Sequence, residues 1–189
     1  MANPSPLGEP ILAAYAQFVQ RIDTHAARVE SAWGDELACR VGCSGCCHRD
    51  LTVFPLEAAV LANHIDGAGV ELPSTARPTL TPTALAVLEL EGAEPCVMLD
   101  AEGRCRVYAA RPLICRTHGL PLAVQDDEGV YGDVCPLSFD GGAGLADLPS
   151  EDFLALETVN TVLVALNAQF VAATGADPAR VSLKELARS

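Results

Sequence analysis

The sequence predicts a mainly α protein, with two long terminal helices around an irregular, cysteine-rich centre that carries short β hairpins. Three observations carry this expectation. Half of the 189 residues are hydrophobic and only 5% are aromatic, so the core is built from Ala, Leu and Val, a composition that favours helix. Apolar residues recur at helical spacing near both ends of the chain. All eight cysteines lie between those two stretches, among turn-forming residues. The length suits one domain with its own core, and residues 1–189 are read as a single domain.

From Glu9 to Trp33, the residues Ile11, Tyr15, Phe18, Ile22, Val29 and Trp33 recur at three- and four-residue steps, with Ala26 between. That is the pattern of one amphipathic helix, 9–33. Pro55 to Ile65 reads as a second helix, with proline at its start and Glu57 in the first turn, where the helix dipole favours an acid. Gly67 to Pro78 reads as loop. Thr81 and Pro82 open a third helix that ends near Glu91. Cys96 to Cys105 reads as a hairpin that turns at Asp100–Gly103, followed by a single helical turn before Pro112. Leu120 to Val134 forms a second hairpin around Asp126–Gly129, and Gly141, Gly142 and Gly144 form a connection. Ser150 caps a final helix, 151–174, with Leu156, Val159, Leu163, Leu166 and Phe170 on one face. This helix is expected to pack against the first.

The formal net charge is −13. So acidic a surface repels phosphate backbones and anionic headgroups, so neither nucleic acid nor a membrane surface is expected as a partner. Met1 to Pro10 is Pro-rich and does not read as a secretion signal, and no apolar run reaches the roughly 18 residues of a membrane span. The expected location is the cytoplasm. Thiols stay reduced there, and dense cysteine patterns serve metal or redox chemistry more than disulfides.

Four cysteines fall within nine residues, Cys39-Arg-Val-Gly-Cys43-Ser-Gly-Cys46-Cys47, and four more follow at Cys96, Cys105, Cys115 and Cys135. Cys43 and Cys46, two residues apart, can turn both sulfurs toward one metal, and the small Ser44 and Gly45 let backbone N–H groups approach them. Adjacent side chains diverge in most backbone conformations, so Cys46 and Cys47 are expected to serve different partners. Eight thiols suffice for two four-coordinate sites or for one polynuclear cluster, so the cofactor expected is an iron–sulfur cluster or zinc.

Only one of the twelve basic residues, Lys184, is a lysine, and Arg40, Arg49, Arg104, Arg106 and Arg116 lie within two positions of a cysteine. Guanidinium groups offset thiolate charge and donate hydrogen bonds to sulfur. Arg111 and Arg116, which bracket Cys115, are candidates to bind cluster sulfurs or an anionic group. His48 and His118 are candidates to complete a Cys/His site; His25 and His64 read as ordinary helix residues. Tyr108 reads as packing, and Asp126-Asp-Glu128 as a solvated turn without the spaced ligands of a calcium loop. The spacing of Cys39, Cys43 and Cys46 also occurs in radical S-adenosylmethionine enzymes, but this chain lacks the strand–helix alternation of their barrel.

Taken in order, Cys-x3-Cys-x2-Cys-Cys, Pro95-Cys96, Gly103-Arg104-Cys105, Val107-Tyr108, Arg111-Pro112-x-x-Cys115-Arg116 and Cys135-Pro136 resemble the YkgJ-like cysteine-cluster family. The resemblance covers about 39–136. It implies a domain that chelates zinc or iron, with Cys39, Cys43, Cys46, Cys47, Cys96, Cys105, Cys115 and Cys135 as ligands and a metal ion or cluster as the bound partner. It names no protein partner and no catalytic residue. A similar cysteine pattern occurs in the larger flagellin lysine methylases, which implies an alternative: a cluster-dependent enzyme using S-adenosylmethionine.

Overall fold

The structure, a computed structural model, describes residues 8–40, 43–70, 72 and 94–186. In chain order its elements are α1 (Glu9–Trp33), β1 (Thr52–Val53), α2 (Pro55–Ala68), α3 (Leu113–Thr117), β2 (Leu122–Asp126), β3 (Gly129–Asp133), β4 (Leu154–Ala155), α4 (Leu156–Thr174), β5 (Val181–Ser182) and α5 (Leu183–Leu186). Short 3-10 turns lie between them, and the chain is mainly α. The helix expected at 81–91 lies outside the described residues. Contacts gather the chain into two compact units, each drawn from two stretches: Met1–Cys39 with Leu113–Gln169, and Arg40–Pro112 with Phe170–Ser189.

In the first unit, α1 begins with Glu9 and Pro10 in its first turn and buries Tyr15, Phe18, Ile22 and Val29. Its neighbour is the short α3, where Arg116 places Nη1 2.7 Å from both carboxylate oxygens of Asp23. The core is the cluster Val29, Leu37, Leu120, Phe139 and Leu148, edged by Trp33, Val134 and Phe153. A buried carboxylate braces it: Asp152 accepts from Trp33 Nε1 at 2.7 Å and pairs with Arg28.

β2 pairs antiparallel with β3, and parallel with β4 on its other side. This explains a difference at the last helix. The sequence places its start at Ser150–Glu151, but α4 begins at Leu156. Residues 150–152 form a 3-10 turn, and Leu154 N–H donates to the Pro121 carbonyl at 2.9 Å as β4 joins the sheet. Tertiary pairing outweighs the local cap. The glycine-bearing connection after Ser138 is itself a 3-10 helix, Phe139–Asp147.

α4 is apolar and long enough, by length and composition alone, to cross a bilayer. Its buried residues Val159, Leu163, Asn167 and Phe170 recur at three- and four-residue steps, the stripe of a helix laid on a core.

In the second unit, α2 starts on Pro55, and the Glu57 carboxylate accepts from the Phe54 N–H at 3.2 Å. It runs through Gly67, beyond the expected end at Ile65. Gly69 is the residue that takes the left-handed conformation (φ 60°), and Val70 N–H closes on the Ile65 carbonyl at 3.0 Å, which is the geometry of a glycine-terminated helix. The core cluster is Val53, Ala58, Leu61, Val97, Met98, Val107 and Leu183, and Cys96 and Cys105 pack against it. β5 returns to pair antiparallel with β1. That pairing ties the end of the chain to this unit, and sequence patterning did not foresee it.

Candidate metal centre

None of the eight cysteines is joined in a disulfide. Cys43, Cys46, Cys47, Cys96 and Cys105 belong to the second unit, and Cys39, Cys115 and Cys135 to the first.

In the second unit, the 3-10 turn Gly45–His48 carries Cys46 and Cys47. Their sulfurs lie 4.0 Å apart. Two sulfurs on one tetrahedral metal, each about 2.3 Å from it, stand about 3.8 Å apart. The expectation that these neighbours diverge is therefore corrected, because the tight turn and the chosen rotamers bring both sulfurs to the same side. Cys96 is tied in by its backbone, its N–H donating to the Cys47 carbonyl at 2.6 Å. Cys105 is placed by the loop 96–105. There Asp100 Oδ1 accepts from the N–H groups of Glu102 and Arg104, and a single antiparallel bridge joins Leu99 to Cys105. The loop closes without forming strands.

Electrostatics ties these thiols into one group. The hydrogen bond from Cys47 holds the Cys46 thiol below its ordinary pKa; burial and Cys43 oppose this, and the Arg111 guanidinium assists it. Burial against the core pushes the Cys105 thiol up; Cys96 and Cys46 add to that, while the Val107 N–H and Arg111 pull it down. Arg111 thus acts on two sulfurs while stacking over the Tyr108 ring at 3.8 Å. Its chain neighbours are otherwise engaged: Arg104 pairs with Asp100 and Glu102, and Arg116 with Asp23. Alkylation of metal-free protein, mapped by mass spectrometry from neutral to alkaline pH, is expected to label Cys46 at a lower pH than Cys105. The reverse order would contradict this arrangement of charges.

His48 is buried and its Nδ1 lies 3.0 Å from the Ser44 carbonyl oxygen, so Nδ1 carries the proton and braces the turn. Among the described residues no three Cys, His, Asp or Glu side chains converge at metal-ligand geometry. Cys46 and Cys47 are a thiol pair at the spacing of two ligands on one zinc or iron ion.

In the first unit the three cysteines sit on segments bonded to one another. Ala38 N–H donates to Ser138 Oγ at 3.1 Å, and Phe139 N–H to the Glu36 carbonyl at 2.8 Å, which lays the segment before Cys39 beside the segment after Cys135. The Cys39 thiol donates to the His118 carbonyl at 3.6 Å, just beyond the α3 helix that carries Cys115. Sequence reading overlooked Gly119. Its φ is 96°, and a Cβ there would run into Cys39 Sγ; a glycine directly after a short helix was the available signal. Gly119→Ala is expected to cost about 1–3 kcal/mol from the left-handed backbone alone and to displace the Cys39 thiol. Denaturant unfolding and Cys39 alkylation rates measure both effects.

A family model, CxxCxxCC, described as "Putative zinc- or iron-chelating domain", matches residues 38–136. No curated protein and no solved structure matches the chain.

Proposed function

The chain belongs to the CxxCxxCC family of zinc- or iron-chelating domains, and from that premise we propose that Cys43, Cys46, Cys47, Cys96 and Cys105 form its principal metal-binding group, in a reducing compartment. The observation that carries the proposal is the Cys46–Cys47 sulfur separation of 4.0 Å, a coordination edge among five thiols of which two, Cys46 and Cys105, feel Arg111. Cys39, Cys115 and Cys135 are assigned as the ligand group of the first unit.

The bound metal supplies a centre of positive charge that holds the thiolates together. The chain supplies everything else. Thiols deprotonate as they bind, so binding releases protons and weakens as pH falls. Arg111 offsets the negative charge that remains. Cys96 and Cys105 pack half-buried against the core, which limits the access of water to their sulfurs.

Anaerobic purification followed by metal and sulfide analysis tests the assignment. Zinc without sulfide identifies a thiolate zinc site; iron with equimolar sulfide and broad visible absorbance identifies an iron–sulfur cluster. Anomalous scattering across the iron and zinc edges on one crystal then assigns the ligands. Protein that is folded, free of metal and indifferent to chelators would refute the proposal.

A further inference from the structure

The β2–β3 hairpin in the first unit carries no cysteine and no histidine. The sheet order is β3-β2-β4, so β3 is an edge strand, and all five of its residues are exposed. Edge strands offer unpaired N–H and C=O groups to any extended chain, and proteins blunt such edges with lysine, proline or a bulge. Gly129-Val-Tyr-Gly-Asp133 contains neither lysine nor proline, and its register against β2 is continuous across all five pairs.

The strand instead displays Val130 at 70% exposure and Tyr131 at 49%, two of the five exposed large hydrophobic side chains among the described residues. The hairpin behind them is anchored. The Phe153 ring lies so close to Gly132 that a Cβ there would come within 2.8 Å of it. At the turn, Asp126 Oδ1 accepts from the N–H groups of Glu128 and Gly129 at 2.8 and 3.1 Å.

The charge of the hairpin selects an occupant. Between Leu122 and Asp133 the sequence has four acidic residues, Asp126, Asp127, Glu128 and Asp133, and no lysine or arginine. A second copy of so acidic a chain would be repelled from this edge, whereas a basic one would be steered to it.

We propose that β3 is a docking edge for an extended, Lys/Arg-rich segment of a partner protein. The segment adds a strand beside Gly129–Asp133; its apolar side chains meet Val130 on one face of the sheet, and its cations meet Tyr131 and Asp133 on the other and Asp127 and Glu128 at the turn. Main-chain pairing supplies affinity, and the alternating side chains supply selectivity.

The probe is a twelve-residue peptide alternating Lys or Arg with Val or Thr, compared with its Glu-substituted counterpart, against metal-loaded full-length protein. At low salt the basic peptide is expected to bind and to slow amide exchange at Gly129–Asp133, with binding that weakens as salt rises. Asp127→Lys with Glu128→Lys, and separately Tyr131→Ala, are each expected to weaken it by about tenfold. These side chains are exposed, and circular dichroism confirms that each variant is folded. Three results overturn the proposal: no binding of the basic peptide, equal binding of the acidic peptide or of the variants, or exchange protection elsewhere. Self-association abolished by Tyr131→Ala also overturns it, because the occupant would then be a second copy.

Discussion

Protein with both Cys46 and Cys47 changed to serine is expected to lose the metal of the second unit, keeping only what Cys39, Cys115 and Cys135 hold, and its melting temperature falls with that loss. Serine keeps the size of the side chain and removes the soft thiolate that zinc and iron require. Structural zinc sites contribute about 10–16 kcal/mol to folding in small peptides that lack a core. The loss here is smaller, because the second unit keeps its own cluster around Val53, Leu61 and Val107. Single variants sharpen the test. If the two sulfurs, 4.0 Å apart, share one ion, each single change removes that ion and the double change adds little. If they serve different ions, the losses add. Elemental analysis with thermal melts of purified variants distinguishes the cases, and full stoichiometry in the double variant would remove the pair from the site.

Phe139→Ala is expected to destabilise the protein by about 3–5 kcal/mol, the range for removing a buried aromatic side chain. Phe139 is 1% exposed, sits at the centre of the first unit's cluster, and tilts against Trp33 with ring centroids 6.3 Å apart. Its backbone also holds φ at 50°, a left-handed conformation that is rare for bulky residues. The packing of the ring and the 2.8 Å bond from its N–H to the Glu36 carbonyl hold it there. Phe139→Gly separates the two effects, since glycine relieves the backbone while losing the same ring, and it should therefore be the milder variant. Urea unfolding reads both. A loss below about 1 kcal/mol for Phe139→Ala would show that the cluster collapses around the gap.

The family, and metal binding as its activity, were legible in the sequence because ligand chemistry depends on residue type and spacing. Eight cysteines in an ordered set of short motifs match the soft-ligand chemistry of zinc and iron. The helical stretches were legible for a similar reason: the apolar steps from Tyr15 to Val29 and from Val159 to Phe170 are local patterns, and a 3.6-residue period is written along the chain.

Other features depend on partners remote in sequence. The start of α4 moved from Ser150 to Leu156 because Leu154 pairs beside Leu122 and bonds to Pro121. The roles of the arginines were settled the same way. Arg116 and Arg111 look alike beside Cys115, yet Asp23, far back in α1, claims the first, while the second stacks on Tyr108 and acts on Cys46 and Cys105. The sequence by itself determined the supply of thiols, the family and the period of the helices. Only the tertiary structure decided that five thiols gather in one unit and three in the other, and that Cys46 and Cys47 point the same way, because rotamers and long-range pairings follow from packing between segments that the linear order does not record.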